Sequence, residues 1–455
     1  MQLVAPQKRL GPRSFFVSVL TINLLLILAI DMYVPALPSM QREFAVSEAY
    51  LNLTMFVFFL FAAVGVVLAG PISDQRGRKP LLLAGCGTFA AASFLCAVAP
   101  TVEAVIAFRL VEAVGYGFVM TIVTALVKDA YAGEDLKVAM TFLQSLVIIG
   151  PAIAPFLGTL LLSIGGWREV FGFLALCGLV SFALACLITE THPSAGARAA
   201  GRARGARAAA TATAAEPAGA SAESASAAAL AAEPAGAANP ALEVASASQG
   251  AQGGVGAALR DLVAGSRALM RDRSFMSLAL IMGIAGVPYF AFIAVVSYVL
   301  LDYFMLSYFE YSVIYAIACV VTIVAPYLYM ALSKRLGVNA ILRLSIALVA
   351  VTFVTMLAFG TASPLLFLLT FVPYALAEGV VRPMSYVVLL DQPDNRVGAA
   401  SSFANCIYSV FTSVATVLAT LPWSNFVTGV AVLAGASMVL MIVLYLWGMR
   451  KRPAS

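Results

Sequence analysis

The chain has 455 residues, of which 62% are hydrophobic and 11% are charged, and its formal net charge is +5. A soluble domain is about half apolar and about a quarter charged, so this balance excludes a water-soluble protein and predicts an integral membrane protein. Apolar runs of about 20 residues recur along the chain, which favours membrane-spanning helices over the alternating residues of a β-barrel.

Twelve apolar runs are long enough to span a membrane, and a polar segment divides them into two sets of six. The first set is Phe16–Leu37, Ala49–Ile72, Pro80–Val98, Val102–Leu126, Val138–Leu162 and Val170–Ile188. The second set is Phe275–Leu301, Ser312–Leu332, Ala340–Phe359, Leu365–Leu390, Val397–Leu421 and Phe426–Gly448. After the second and the eighth run, Ser73 and Ser333 are each followed by a glycine four residues later, which suits two parallel six-span repeats.

The first span contains a carboxylate, Asp31, inside the segment "NLLLILAIDMYVPALPSM". An ionised group at the centre of a spanning helix costs about 2.5–3.5 kcal/mol on insertion scales, so it must be paired, solvated or neutral. Asp31 and Arg109 of span four lie at similar predicted depths, about 9–10 Å from the outer ends of their spans. The sequence neighbours of Asp31 offer no cation, so we predict that Asp31 binds and releases a proton as its surroundings change.

Spans four and ten also carry charges. Arg109, Glu112 and Tyr116 recur at helical spacing on one face of span four. Glu378 and Arg382 are four residues apart in span ten, with the acid first, so they can pair within their own helix. Two interpretations stay open for these groups: structural ion pairs that lock helices together, and functional groups that line a cavity.

The polar segment between the two sets of spans predicts a linker. It is rich in Ala, Gly, Ser and Pro over residues 193–254 and has too few large apolar residues to bury a core. Residues 259–273 place apolar side chains on one helical face and arginines on the other, as a helix on a membrane surface does. The predicted domains are a first bundle (1–190), a disordered cytoplasmic linker (191–258), an amphipathic interfacial helix (259–273) and a second bundle (274–455).

The basic residues predict the orientation. With both termini in the cytoplasm, 22 of the 27 Lys and Arg residues fall in cytoplasmic segments, and Arg343 lies at the cytoplasmic end of span nine. Arg42 and Arg168 lie in outer loops, and Arg109 and Arg382 lie within spans. This distribution is the one that the positive-inside rule describes.

Six motifs carry a resemblance to a known family. The segments "GPISDQRGRKP" (Gly70–Pro80), "FRLVEAVGYG" (Phe108–Gly117) and "GPAIAPFLG" (Gly150–Gly158) resemble three signatures of the major facilitator superfamily: the loop after span two, the span-four motif and the span-five motif of its antiporters. The segments "AIDMYVPALP", "VKDAYAGED" and "GWREVF" narrow the resemblance to bacterial drug:proton antiporters of the bicyclomycin- and chloramphenicol-resistance type.

The resemblance implies an all-α membrane protein with twelve transmembrane helices in two six-helix pseudo-symmetric bundles around a central cavity. Spans one, four, seven and ten line that cavity in the superfamily, and three of these spans carry the deep charges here. The resemblance implies proton coupling by Asp31, Arg109 and Glu112. It implies a substrate cavity that includes the following residues: Asn23, Tyr116, Tyr289, Tyr298, Glu378 and Arg382.

The resemblance also implies a conformational role for the following residues: Gly70, Asp74, Arg76, Gly77, Arg78, Gly150, Pro151, Pro155 and Gly158. We expect Gly70 to allow close helix approach, and Asp74 and its neighbouring cations to bridge helix ends. In span five, the glycines and prolines permit bending and close packing, or simply kink a structural helix. Gln75, Glu112 and the charged pair of span ten depart from the family pattern, which leaves proton stoichiometry and substrate preference open.

We predict a proton-coupled antiporter that exports small, largely apolar drugs from the cytoplasm by alternating access. It is expected in the bacterial cytoplasmic (inner) membrane as a multi-pass monomer whose termini are both cytoplasmic. The expected partners are small-molecule drugs, protons and membrane lipids, with no nucleic acid, cofactor or metal. An exporter of a small metabolite, such as a sugar or amino-acid derivative, stays open on the same fold. A membrane enzyme or receptor is disfavoured because the sequence shows no metal-ligand set, nucleophile–base pair or folded extramembrane domain.

Overall fold

Helices make up nearly all of the computed structural model, which describes residue 7 and residues 10–191, 269–390 and 394–449. Six long helices form the first half: α1 Pro12–Asp31, α2 Glu48–Arg76, α3 Arg78–Ala97, α4 Val102–Ala130, α5 Gly133–Ile164 and α6 Trp167–Leu187. Six more form the second half: α7 Arg273–Ser297, α8 Tyr308–Ser333, α9 Val338–Phe359, α10 Pro364–Leu390, α11 Asp394–Leu418 and α12 Phe426–Leu444. These helices match the predicted spans in order and confirm the all-α fold.

The helices are apolar enough for a bilayer. Within the described ranges, nine helical segments qualify as membrane spans by length and hydropathy. The remaining helices, α5, α8 and α11, contain shorter apolar stretches of described residues, Ile153–Ile164, Tyr308–Val321 and Phe403–Leu418. Large apolar side chains such as Phe156 and Val320 are exposed on the outer surface of the protein, where lipid rather than water suits them. The chain is therefore a multi-pass membrane protein.

The packing of the helices repeats between the two halves. In the first bundle, α1 packs against α5 and α6, α4 packs against α2 and α3, and α3 packs against α6. In the second bundle, α7 packs against α11 and α12, α10 packs against α8 and α9, and α9 packs against α12. Adding six to each helix number of the first set reproduces the second set, so the two bundles are pseudo-symmetric. Between the bundles, α2 packs against α11 and α5 packs against α8, as the same symmetry requires.

The first helix ends earlier than the sequence predicts. The predicted span runs to Leu37, but α1 ends at Asp31, and a 3-10 turn (Val34–Ala36) and a short helix (Leu37–Phe44) follow it. Pro35 has no N–H group to donate to the carbonyl of Asp31, which lies four residues earlier, so the α-helical bonding stops there. Asp31 therefore sits at a helix break rather than in the middle of a continuous helix.

The two ends of the bundles differ in charge. One end, here called the basic end, carries the turns after α2 and α8 with Arg76, Arg78, Lys79, Lys334 and Arg335. The other end, here called the opposite end, carries Arg42 and Asp302. The predicted linker and most of the predicted amphipathic helix lie outside the described residues. At the edge of that region, α7 begins at Arg273, where the Asp272 side chain accepts hydrogen bonds from the first backbone N–H groups.

Candidate functional site

Asp31 lies at the boundary between the two bundles. Its side chain is buried, with 3% of its surface exposed, at the last residue of α1. The hydroxyl of Tyr315, which belongs to α8 of the other bundle, lies 3.5 Å from the Asp31 Oδ1 atom and donates to it. No ion pair reaches Asp31 among the described residues. A movement of one bundle against the other therefore changes the surroundings of this carboxyl group directly.

Tyrosine side chains surround the Asp31 carboxyl group from both bundles. Tyr116 of α4 and Tyr289 of α7 lie within its electrostatic range. On α8, the ring of Tyr311 stacks on that of Tyr315, with 5.8 Å between the ring centroids. The hydroxyl of Tyr311 is buried and has no hydrogen-bond partner in the described part of the chain. The site thus combines one acid with several neutral hydroxyl groups and aromatic faces.

The two charges of α4 neutralise each other. The Arg109 guanidinium lies 2.8 Å from Glu112 Oε2, and the hydroxyl of Ser93 donates to Glu112 Oε1 at 2.7 Å. Both charged side chains are almost fully buried, with 1% and 0% of their surface exposed. A buried ion pair needs such additional hydrogen bonds to offset its loss of hydration. The described structure therefore pairs Arg109 with Glu112, whereas the described partner of Asp31 is a tyrosine.

Aromatic rings enclose the Arg109 guanidinium. Its central carbon lies 4.4 Å from the ring centroid of Tyr33 and 4.1 Å from that of Phe58. Such distances give cation–π attraction, which is strongest where water is excluded. Tyr33 follows Asp31 by two residues, so the helix break that positions Asp31 also places this ring. Arg109 thus contacts the residues after Asp31 without pairing with its carboxylate.

A second polar cluster lies on α10 and α11. The Tyr408 hydroxyl donates to Glu378 Oε1 at 3.1 Å, and the Arg382 guanidinium carbon lies 4.6 Å from the Tyr408 ring centroid. No ion pair within 4.0 Å joins Glu378 to Arg382 in the described structure. The intrahelical ion pair that the four-residue spacing permits is therefore not formed, and the described hydrogen-bond donor to Glu378 is the hydroxyl from α11.

Arg382 is exposed and lies near residues of both bundles. Its side chain is exposed even though α10 is a predicted span. Protein surrounds it as well: Tyr289 of α7 and Tyr116 of α4, in the other bundle, both lie within its electrostatic range. An arginine that meets α4, α7 and α11 points to the centre of the molecule rather than to lipid. The exposed surface of Arg382 therefore belongs to the central cavity.

Aromatic rings from α2, α7 and α11 contact one another where the two bundles meet. The Phe59 ring of α2 meets the Phe290 ring of α7 edge-to-face, with 4.8 Å between centroids. Phe290 also contacts Tyr289 and Tyr408, at centroid distances of 5.5 Å and 6.1 Å. Tyr289 and Phe290 thus join the surroundings of Asp31 to those of Arg382.

Two residues predicted to line the cavity are buried in this structure. Asn23 is buried, and its amide donates to the Leu143 carbonyl at 3.4 Å, so it joins α1 to α5 within one bundle. Tyr298 is buried against Phe426, with 5.8 Å between ring centroids. Neither side chain is exposed: Asn23 joins two helices of its own bundle, whereas Tyr298 also lies within electrostatic range of Tyr33 and Glu48 of the first bundle.

Contacts between the bundles close the opposite end. Arg42 of the short helix lies 2.9 Å from Asp302 of the other bundle. Deeper in the protein, the hydroxyl groups of Thr159 and Ser312 are 2.6 Å apart and join α5 to α8. The Asn52 amide of α2 donates to a carbonyl of α7 at 3.3 Å. These contacts lie toward the opposite end, whereas Arg382, in the half of α10 nearer the basic end, is open to water.

The basic-end motif holds a tight turn in the first bundle. Gly77 has a positive φ of 99°, a conformation that favours glycine, and a Cβ atom there would lie 2.5 Å from the Glu190 carboxylate. Glu190 accepts hydrogen bonds from the backbone N–H groups of Arg78 (2.8 Å) and Lys79 (3.0 Å). The Arg78 side chain donates to Ser73 and pairs with Asp129 at 3.2 Å. These contacts fix the N-terminus of α3.

The other motif residues divide into close-packed and open positions. A Cβ atom on Gly150 or Gly158 of α5 would collide with Ile27 or with the Met32 carbonyl, so these glycines set the approach of α5 to α1. Pro155 is buried in α5, which runs unbroken through it. Gly70 has no atom within 4 Å of an added Cβ, so the expected close approach is absent at this position in this conformation.

The remaining motif residues are Arg76, Asp74 and Pro151. The Arg76 side chain is exposed at the end of α2. The side chains of Asp74 and Pro151 lie outside the described part of the structure.

Sequence reasoning missed the partners that come from distant parts of the chain. Tyr315, Tyr408, Ser93 and Glu190 each satisfy a charged or backbone group that the sequence had left without a partner. Tyr and Ser are common inside membrane spans, so their presence alone carries little signal. The prolines after Asp31 did carry one, because each removes a backbone donor and together they indicate a break in the first helix.

Comparison with known proteins identifies the family. A model of the Major Facilitator Superfamily matches residues 19–416. A chloramphenicol resistance protein of Pseudomonas aeruginosa is 35% identical over 155 residues, which are 34% of this chain and 37% of that protein. The multidrug resistance protein MdtL of Escherichia coli (strain K12) is 29% identical over 182 residues, which are 40% of this chain and 46% of that protein. The matched segments thus span less than half of each relative.

The fold agrees with this family. A crystal structure of the peptide transporter POT in complex with sulfate aligns with a TM-score of 0.68 at 15% sequence identity, and the alignment covers 98% of this chain and 96% of that chain. At this identity the likeness shows the fold alone. The family model spans both bundles, so the chain belongs to the Major Facilitator Superfamily of membrane transporters and is not an enzyme.

Proposed function

We propose that this protein is a proton-coupled antiporter that exports small, largely apolar drugs by alternating access. The named drug-resistance relatives support the class of substrate. The observation that carries the coupling is the position of Asp31, a buried acid between the bundles whose described partner is a neutral tyrosine of the other bundle. A group held in this way can exchange a proton whenever the bundles move.

The basic end faces the cytoplasm in this proposal. The excess of Lys and Arg in the loops at that end supports this orientation, with both termini inside and the protein in the bacterial inner membrane. The protein then works as a monomer among membrane lipids, since one chain supplies both bundles and the cavity between them. In this orientation, the contacts at the opposite end close the protein toward the outside, and the exposed side chain of Arg382 lies in the half nearer the cytoplasm.

The transport cycle follows from the two environments of Asp31. A drug enters the cavity from the cytoplasm or the inner leaflet and packs against Tyr116, Tyr289 and Phe290, while Asp31 releases its proton to the cytoplasm. The bundles then rock, the contacts at the opposite end separate, and the cavity opens outward. A proton from outside neutralises Asp31 and favours release of the drug. Each positive charge that moves into the cell releases about 2.3 kcal/mol of free energy per 100 mV of membrane potential.

Arg109 and Glu112 hold the first bundle around Asp31 during this cycle. The opposite charges of Arg109 and Glu112 neutralise each other, and the rings of Tyr33 and Phe58 enclose the guanidinium. The pair therefore stays intact as the bundles move. Arg109 acts on the proton site through Tyr33 and the helix break, which together position Asp31.

The substitution Asp31→Asn tests this function. Asparagine matches the shape of the acid but cannot exchange a proton, so a pH gradient should no longer drive efflux from proteoliposomes. The panel of probes contains chloramphenicol and a cationic fluorescent dye, and the exposed Glu169→Gln serves as the control. We expect proteoliposomes with wild-type or Glu169→Gln protein to take up protons as they export the probes. Proteoliposomes with Asp31→Asn should lose at least about nine-tenths of the proton-driven probe efflux.

Two results would overturn the proposal. Gradient-driven efflux that survives in Asp31→Asn would show that the proton binds elsewhere. If no probe is exported while sugar or amino-acid derivatives are, the alternative of a metabolite exporter replaces drug efflux on the same fold.

A further inference from the structure

The Arg382 guanidinium is a cation between the bundles, and Glu378 lies within its electrostatic range without forming an ion pair with it. It lies on α10, inside a predicted span, and its side chain remains exposed to water. Among the described residues, no carboxylate lies within 4.0 Å of it, and its described contact is the face of the Tyr408 ring at 4.6 Å. A charged group inside a span is costly, so an arginine that meets water and an aromatic face there is a candidate for binding a ligand.

Tyr408 keeps this cation available. The acid that could neutralise Arg382 is Glu378, one helical turn earlier, but the Tyr408 hydroxyl donates to Glu378 at 3.1 Å. Glu378 is also buried, whereas Arg382 is exposed. The same tyrosine therefore contacts both groups: its hydroxyl donates to one oxygen of the acid, and its ring faces the cation. The five N–H donors of the guanidinium suit a planar, two-oxygen anion such as a carboxylate.

The cavity places aromatic surface beside this cation. Tyr116 and Tyr289 lie within electrostatic range of both Arg382 and Asp31, so both rings are near each of the two charged groups. Phe290 contacts Tyr289 and Tyr408. A ligand with an aromatic body can stack on these rings while its anionic group reaches Arg382.

We propose that Arg382 forms an anion-binding subsite, and that the exported compounds include aromatic molecules that carry a carboxylate. This inference rests on the proposed function and names one class of its substrates. Arg382 binds the carboxylate directly, Tyr408 positions the guanidinium, and Glu378 stays engaged with the Tyr408 hydroxyl.

Binding of a matched pair of probes tests the subsite. The pair is dansylglycine and its uncharged methyl ester, and the dansyl fluorescence of the purified full-length protein is titrated in a neutral detergent. We expect the wild-type protein to prefer the acid over the ester. Arg382→Gln should weaken binding of the acid about tenfold to hundredfold, as for loss of a hydrogen bond to a charged group, and should leave the ester within about twofold. Arg382→Lys should retain part of the affinity.

Two further variants separate the subsite from a general structural role. Tyr408→Phe keeps the ring but frees Glu378 to pair with Arg382, so it should weaken binding of the acid several-fold and leave the ester unchanged. Glu378→Gln removes the competing charge and should strengthen binding of the acid. A thermal unfolding curve for each variant confirms that it is folded.

Several outcomes would overturn the subsite. They are equal affinity of the wild-type protein for acid and ester, no binding of either probe, or an equal loss of both in Arg382→Gln. Competition by phosphatidylglycerol, with no effect of the probe's carboxylate, would assign Arg382 to a lipid headgroup instead. Failure of the proposed function is distinct, because it appears as proton-driven efflux that survives in Asp31→Asn, whatever the acid-to-ester preference is.

Discussion

At the scale of single residues, the membrane-buried charges of this protein have two different solutions. Arg109 and Glu112 neutralise each other inside one bundle, and Ser93 satisfies the second oxygen of the acid. Asp31 meets a tyrosine from the other bundle instead, and no ion pair holds it in the described structure. The first arrangement resists change, whereas the second responds to movement of the bundles. This contrast separates a stabilising pair from an exchangeable acid.

Removing one partner of the Arg109–Glu112 pair should destabilise the protein more than removing both. Glu112→Leu leaves a buried, unpaired guanidinium and should lower the free energy of unfolding by about 3–5 kcal/mol. The double variant Arg109→Met/Glu112→Leu buries no charge and should recover much of that loss. Unfolding in detergent by titration with SDS measures both variants against the wild-type protein. A double variant at least as unstable as Glu112→Leu would show that the two charges are not coupled.

At the scale of helices, the break after Asp31 depends on the packing of α5. Gly158 faces the carbonyl of Met32, directly after the break, and Gly150 faces Ile27 one turn before it. The two glycines are eight residues apart, so they lie on nearly the same face of α5. The surface of α5 that carries these two glycines therefore packs against the end of α1. Pro35 and Pro38 prevent α1 from continuing as an α-helix.

A methyl group on Gly158 should disturb this contact. Gly158→Ala places a Cβ atom on the Met32 carbonyl, and overpacking of this kind costs about 1–3 kcal/mol. Gly172→Ala in α6 is the matched control, because a Cβ there meets no atom within 4 Å. Its added helix propensity should leave the melting temperature unchanged or slightly higher. A fall in Gly172→Ala as large as that in Gly158→Ala would contradict the packing argument.

At the scale of the whole molecule, the two bundles are joined near the opposite end. The Arg42–Asp302 pair is surface-exposed, with 62% and 39% of the side chains open to solvent. The short helix that carries Arg42 also carries Glu43, which accepts hydrogen bonds from Trp167 and Arg168 of the first bundle. This helix therefore touches both bundles, and outward opening must break its contact with Asp302.

Breaking the Arg42–Asp302 pair should favour outward opening without a large loss of stability. An exposed ion pair contributes about 0–1 kcal/mol, which is enough to shift a balanced equilibrium several-fold. Arg42→Gln should speed hydrogen–deuterium exchange in residues 37–44 and 298–303, and the charge swap Arg42→Asp/Asp302→Arg should restore the slower rate. Arg168→Gln is the control: it should affect residues 37–44 and spare residues 298–303. Unchanged exchange in Arg42→Gln would exclude this gate.

The fold was predictable from the sequence because hydropathy reports each span locally, and the family motifs fix the order of the helices. The partners of the site were not. Three-residue spacing placed Glu112 beside Arg109 correctly, but four-residue spacing did not predict the surroundings of Glu378, which binds Tyr408 instead. The partner of Asp31 lies 284 residues away in the chain. Spacing describes what a helix permits, and tertiary packing decides which contact forms.

Substrate-dependent proton release measures directly whether Asp31 exchanges its proton for a bound drug. Purified protein in weakly buffered detergent near neutral pH is mixed with a panel of neutral and cationic drugs, and the pH change is recorded alongside binding. We expect the wild-type protein to release protons in proportion to the drug that it binds. The Asp31→Asn variant should bind drug and release no protons. Proton release of equal size from Asp31→Asn, or binding to the wild-type protein without any release, would contradict this expectation.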